Sequence, residues 1–243
     1  MKPNAKSVTI ATVCFNAAAS IEKTILSVLE QTYADMEYIV IDGGSSDGTC
    51  DIIQKYRDRI DYFVSEPDHG VYDAMNKAAS VAKGEWILFM NSGDTFYSPD
   101  SISDVFRNEI SAETGVLYGD TIFANGDIRT LKRHGDEKIH SVMPSCHQSI
   151  FCRTRLLREN PFDLKYRYAA DYDFFYRLKC LGVQNQFTET IVAVYDDSCG
   201  LSKQDRYKVK KEMLRCSNSL PLFVVKYGFY RLKRTIAGLI KNE

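Results

Sequence analysis

The chain has 243 residues, of which 44% are apolar and 26% charged, and its net charge is −1; this suffices for one large domain with a proper core, or for one domain with an appendage. No stretch approaches the roughly 18 uninterrupted apolar residues of a membrane span, and Met1-Lys2-Pro3-Asn4-Ala5-Lys6 lacks the apolar core of a secretory signal. The body carries no basic stripe, which argues against a nucleic-acid partner.

Residues 7–14 (SVTIATVC) form a near-continuous β-branched run, the pattern of a strand buried on both faces. Ser20 is placed to cap a helix whose apolar positions Ile21, Ile25, Val28 and Leu29 recur at helical spacing. A second strand over 38–41 ends on Asp42 and the turn Gly43-Gly44-Ser45-Ser46. A helix is expected over 47–56, a third strand over 61–64, a helix over 71–82 and a fourth strand over 86–90. This alternation indicates βαβ units and a parallel sheet, with ligands bound beyond the carboxyl ends of the strands. Ser98-Pro99 then opens a short helix. Runs over 116–123 and 127–132 flank Asn125-Gly126, a hairpin signal that implies antiparallel strands. A polar loop over 133–146 precedes a short strand around 149–152, a helix over 171–181 and a late strand over 186–195.

The seven cysteines are an odd number, scattered, without a Cys-x-x-Cys pair. That pattern speaks against a zinc site and a disulfide framework and predicts a reducing, cytoplasmic setting. From Leu201 onward 11 Lys/Arg stand against 3 Asp/Glu, while the first 200 residues are net acidic. From Pro221, the positions Leu222, Val225, Phe229, Leu232, Ile236 and Leu239 make an apolar helical stripe flanked by Lys226, Arg231, Lys233, Arg234 and Lys241. This suits an amphipathic helix lying on an anionic membrane surface; a helix packed on the body or on a second subunit fits the stripe equally well. The expected organisation is a catalytic domain over 1–200 and a basic helical extension over 201–243.

Each strand of the first half ends on polar residues: Asn16, Asp42, Glu66-Pro67-Asp68-His69-Gly70 and Asn91-Ser92-Gly93-Asp94. One such end is an ordinary turn or cap; four on one edge of a parallel sheet make a polar pocket. The runs VTIATVCFNAA, YIVIDGGSSDGT, SEPDHGVYDAMNKA, GEWILFMNSGD, HQSIF and ADYDFFYRL, in this order, resemble the family 2 glycosyltransferases, and the third and fourth resemble the branch found in bacterial capsule, lipopolysaccharide and exopolysaccharide clusters. The resemblance implies the GT-A fold, an α/β/α sandwich around a mixed, mainly parallel sheet with a later antiparallel portion. It also implies transfer of a sugar, with inversion, from a nucleotide-diphosphate donor to a glycan or lipid-linked acceptor, aided by Mg²⁺ or Mn²⁺.

Residue by residue, the resemblance sets Asp42 on the nucleotide base, with Thr12, Phe15 and Asn16 in the opposite wall. A carboxylate accepts a hydrogen bond from uracil N3–H, a donor that cytosine lacks, so a UDP-sugar is expected; the alternative for Asp42 is an Asx-turn or cap. Asp68 resembles the position lining the uridine pocket. Asn76 and Lys77 lie on the next helix, where Lys77 either faces a phosphate or is a solvated helix lysine. Asn91, Ser92, Gly93 and Asp94 correspond to the Asp-x-Asp region. Only the last carboxylate survives, so Asp94 is the expected metal ligand, sharing a cation with diphosphate oxygens and water.

Asp171, opening a helix, resembles the general base that deprotonates the acceptor hydroxyl, although Ala170 replaces the preceding Glu. Asp173 competes for that role, and Asp171 is also a plausible helix N-terminal acid. His147 and Gln148 are expected beside the acceptor or the phosphates. Asp196 to Ser202 resembles a loop closing over the donor, with a cysteine where the family has its first glycine. Two other classes remain open on residues alone. One is a non-catalytic nucleotide-sugar-binding subunit, suggested by the thinned metal motif. The other is a sugar nucleotidyltransferase, which would need a basic Gly-rich loop that residues 13–20 lack.

Overall fold

The computed structural model describes residues 7–133, 143, 145–198 and 206–216. The β-branched run at the start becomes β1 (Val8–Cys14), buried along its whole length because helices cover both faces of its sheet. It lies between β2 (Met36–Asp42) and β4 (Trp86–Phe89), parallel to both, and β3 (Tyr62–Ser65) extends the parallel half beyond β2. Alternation along the strands divides their side chains between two cores. Val8 and Ile10 cluster with Ile25 and Val28 of α1 (Ile21–Leu29), whereas Ala11 and Val13 cluster with Met75 and Ala78 of α3 (Val71–Val81). Truncating the fully buried Ile10 to alanine would cost roughly 2–5 kcal/mol through the cavity left under α1.

Beyond β4 the sheet changes character. β5 (Thr95–Phe96) and α4 (Ser101–Val105) lead to β6 (Thr114–Asn125), which turns through Asn125-Gly126 into β7 (Ile128–Lys132), the antiparallel hairpin expected from the sequence. β8 (Ile150–Arg153) runs antiparallel to both β4 and β6, joining the two halves. α5 (Thr154–Glu159) and α6 (Ala170–Cys180) follow, then β9 (Gln184–Asp196) and, after a break in the described residues, α7 (Arg206–Cys216). Among the described residues the strand order is β3-β2-β1-β4-β8-β6-β9-β5, with β7 paired to β6. This is the mixed α/β sandwich that the sequence implied.

The later portion is not purely antiparallel. β9 returns parallel to β6 over Thr114 to Ala124, with register shifts that bulge the pair. Ser20 does sit at the start of α1, but its hydroxyl makes no cap bond to that helix; it meets Ser92 Oγ at 3.0 Å instead. α2 (Thr49–Gln54) is shorter than 47–56 because Asp47 folds into a turn, accepting the Thr49 and Ala18 N–H groups. No helix among the described residues is long and apolar enough to cross a membrane. The expected amphipathic helix from Pro221 onward lies outside the described residues.

Candidate active site

Two adjoining hollows of about 750 Å³ each open at the carboxyl ends of the parallel strands and share Val13, Cys14, Phe15, Val71, Tyr72 and Arg167. The first half is walled by Gly43, Asp68, His69 and Gly70. The second holds Asn91, Ser92, Gly93, Asp94, His147, Gln148 and Asp171. Residues far apart in sequence meet here because β4, the turn before β8 and the start of α6 all end at one edge of the sheet.

In the first half Phe15 stands out with 62% of its surface exposed. Asn16 follows in a left-handed conformation (φ 48°), which asparagine tolerates better than most residues. It is pinned by its N–H to Ser45 Oγ (2.7 Å) and by its Oδ1 accepting the Ser46 N–H (3.0 Å). Gly43 lets Asp68 come close: a Cβ there would lie 2.5 Å from Asp68 Oδ2 and push that carboxylate aside. Asp68 Oδ1 accepts the Gly70 N–H at 2.7 Å.

Asp42 departs from expectation. It is fully buried, does not line the cleft, and accepts the N–H groups of Gly44 and Ser45 (3.1 and 2.8 Å) and the Ser65 hydroxyl (2.6 Å). Burial alone would raise its pKa, but the hydrogen bonds from Ser45 and Ser65 outweigh burial and hold it below the usual carboxylate range. Asp42 therefore shapes the 43–46 turn, as the turn reading had it. Thr12 is likewise buried, paired with Tyr38 Oη at 3.1 Å, behind the wall and not in it. Asn76 clamps the backbone of Phe162 through both ends of its amide (2.9 Å each). Lys77 bonds Glu66 (2.8 Å) and the Pro67 carbonyl (3.1 Å). Neither Asn76 nor Lys77 lines the cleft.

In the second half Gly93 takes a positive φ (101°) that lets the chain double back after Asn91. Asp94 is 5% exposed; its Oδ1 accepts the Asp196 N–H (2.9 Å) and its Oδ2 the Gln148 amide (2.6 Å). Burial pushes its pKa up to about 6, against the opposing pull of those two bonds. Asp196 itself pairs with Lys23 at 2.9 Å and accepts the Ser198 N–H as a turn former.

Asp171 lies at the second position of α6 and faces the cleft. Its Oδ1 accepts the Tyr72 hydroxyl (3.0 Å) and the Tyr172 N–H (2.8 Å), and its Oδ2 lies 3.5 Å from His147 Nδ1. The other ring nitrogen of His147 meets Asn91 Nδ2 at 3.0 Å; an accepting Nε2 leaves the ring proton on Nδ1, toward Asp171. Burial first, then the Asp171 carboxylate, keeps the Tyr72 pKa well above its ordinary value, so the phenol remains a donor. Asp173, the rival, is buried, faces away from the cleft and binds Arg177 at 2.8 Å.

Two further cleft residues have no role written in the sequence. Tyr72 lies within the run SEPDHGVYDAMNKA, two residues past Gly70, where it reads as an ordinary core aromatic. Arg167 lines both halves and is the only lysine or arginine to do so among the described residues; an isolated arginine before a helix gives no signal at the level of sequence.

Among the described residues no group of three or more His, Cys, Asp or Glu side chains is arranged to hold a metal. Asp94 has both oxygens engaged, while Asn91 Oδ1 is a buried oxygen with no hydrogen-bond partner among the described residues. This donor set fits a hard cation that brings most of its ligands as phosphate and water, and does not fit a metal caged by protein alone.

Comparison with known proteins gives the family and the fold. The model of the family described as glycosyl transferase family 2 matches residues 9–173. A Mycobacterium bovis (strain BCG) protein described as a PGL/p-HBAD biosynthesis glycosyltransferase is 32% identical over 209 residues, covering 82% of this chain and 79% of that protein. Staphylococcus aureus TarS 1-349, solved in complex with UDP, superposes with a TM-score of 0.65 at 20% identity, covering 86% of this chain; this chain spans 65% of that one. A Pyrobaculum calidifontis mannosyltransferase, solved with GDP-Man and Mn²⁺, gives a TM-score of 0.70 at 17% identity over 89% of this chain and 64% of its own.

Proposed function

The chain belongs to glycosyltransferase family 2, and from that premise we propose that it transfers a sugar with inversion from a UDP-sugar to a hydroxyl of a glycan or lipid-linked acceptor, with Asp171 as base. The relatives are enzymes of glycan or glycolipid assembly, which sets the nucleotidyltransferase reading aside. The observation that carries the proposal is the carboxylate of Asp171 in the cleft wall, with Oδ1 spent on two donors and Oδ2 left to take a proton beside His147.

In the reaction the acceptor O–H attacks the anomeric carbon, its proton passes to Asp171 Oδ2, and the anomeric C–O bond to the diphosphate breaks on the opposite face. The Tyr72 hydroxyl and the Tyr172 N–H hold the Asp171 carboxylate aimed into the cleft. Phe15 offers a flat face for the base. Asp68, whose Oδ2 flanks Gly43, takes the base-reading role first expected of Asp42. Arg167, with its planar fork of donors, holds the diphosphate. A Mg²⁺ or Mn²⁺ held through Asp94 and Asn91 would neutralise charge on the departing diphosphate; His147 and Gln148 brace these same side chains.

We place the enzyme on the cytoplasmic face of a membrane, held by the apolar stripe and basic residues of the sequence from Pro221 onward. The assignment to a capsule or lipopolysaccharide pathway stays a reading of motif likeness. A thermal-shift screen of nucleoside diphosphates with and without Mn²⁺ tests the donor class, since a ligand of the folded state raises the melting temperature by mass action. UDP should give the largest shift; no shift with any diphosphate would refute the proposal.

A further inference from the structure

α7 carries a single acid, Glu212, among Lys208, Lys210, Lys211 and Arg215. That acid is turned onto the protein. Its carboxylate accepts the backbone N–H groups of Arg167 (3.2 Å), Tyr168 (2.6 Å) and Ala169 (3.0 Å). These three amides immediately precede α6, whose N-cap residue is Ala169, a side chain with nothing to offer the helix end. One helical turn further along α7, the buried Cys216 rests its sulfur 3.9 Å from the Ala169 carbonyl. The pair Glu212 and Cys216 thus grips Ala169 by its N–H and by its C=O. A carboxylate at this point anchors the approach to α6 and the N–H of its N-cap residue, and it lies favourably in the dipole of α6.

The gripped amides run from Arg167 to Ala169 and stop two residues short of Asp171; Arg167 and Asp171 both line the cleft, while no described side chain of α7 does. We propose that Glu212 is a positioning residue of the transfer reaction: by gathering the amides of residues 167–169 it fixes Asp171 and Arg167 against the donor. The inference rests on the reading of Asp171 as base. It makes α7 part of the catalytic apparatus, although the sequence would divide the chain near residue 200. A base misplaced by 1 Å forfeits on the order of 10²-fold in rate, so loss of a three-bond anchor should be visible in kcat.

The test compares the full chain with Glu212→Ala and Glu212→Gln, assayed below their melting temperatures, using the UDP-sugar that the wild type hydrolyses fastest. Glu212→Ala should lower kcat at least tenfold and speed amide exchange at residues 167–169. Glu212→Gln, which keeps one acceptor oxygen, should recover most of the rate. In an Asp171→Asn background, Glu212→Ala should cost several-fold less than in the wild type, because the part of its effect that runs through Asp171 is already lost and only the part through Arg167 remains. An unchanged kcat in Glu212→Ala, or a full additional loss in the Asp171→Asn background, overturns this inference and leaves the enzyme class untouched. A wild type that turns over no nucleotide sugar overturns the functional reading, and this inference with it.

Discussion

Oδ2 of Asp171 lies 3.5 Å from Nδ1 of His147, whose other nitrogen meets Asn91 at 3.0 Å. The start of α6, the turn before β8 and the end of β4 therefore converge on one carboxylate. Asp171→Asn keeps the size and the bonds from Tyr72 but cannot take a proton, so turnover should fall roughly 10²-fold or more. UDP affinity, read by thermal shift, should hardly move. Asp173→Asn should instead lower stability by loosening Arg177, with kcat preserved; the reverse pattern would assign the base to Asp173.

Arg167 should set the preference for a diphosphate. The wild type should bind UDP far more tightly than uridine, and Arg167→Ala should erase about tenfold or more of that ratio, equivalent to roughly 1.4 kcal/mol. Uridine binding should stay the same. Calorimetry with and without Mn²⁺ checks this; an unchanged ratio would remove Arg167 from the donor site.

Asp94 predicts a conflict between stability and activity. Burial lifts its folded pKa to about 6, above the ordinary carboxylate value of roughly 4, so the folded state binds more protons than the unfolded state between those values. Its contribution is therefore most favourable below pH 4 and is lost as pH rises through about 6. Asp94→Asn removes the buried charge and should raise stability at pH 7.5 by up to roughly 2–3 kcal/mol in metal-free buffer. The gain should vanish near pH 4, while turnover at pH 7.5 is nearly abolished. Thermal melts across pH check this, and a less stable variant at pH 7.5 would contradict it.

Base choice should depend on Asp68. A carboxylate facing cytosine N3 meets an acceptor where it needs a donor, a loss of roughly 1–3 kcal/mol. UDP should outbind CDP, and Asp68→Ala should narrow the gap. Asp42→Ala should destabilise the 43–46 turn and weaken both nucleotides alike.

The chain beyond α7 should bind vesicles containing anionic lipid and release them at high ionic strength, each basic group being worth about 1 kcal/mol near the surface. A chain ending at Ser219 keeps α7, so it should stay in solution and still bind UDP. Vesicle sedimentation decides this; equal binding by both chains would deny the tail its role.

The parallel half of the fold was legible because its strands are buried on both faces and write that fact as uninterrupted β-branched runs. The pairing of β6 with β9 was not, since register between distant strands leaves no local periodicity. That Asp94, His147 and Asp171 line one cleft was legible through motif order. Asp42 was misread because a carboxylate at a strand end looks the same whether it turns toward a ligand or toward Ser45 and Ser65. Arg167 and Glu212 reach the cleft and its flank through contacts across the fold, for which spacing carries no sign.

The central claim, inverting transfer with Asp171 as base, is tested most directly by the proton NMR time course of UDP-α-sugar hydrolysis. The anomeric signal of the first sugar released should be β, before mutarotation, and Asp171→Asn should suppress its appearance roughly 10²-fold. Release of the α-anomer, or an Asp171→Asn variant as fast as the wild type, would contradict the account.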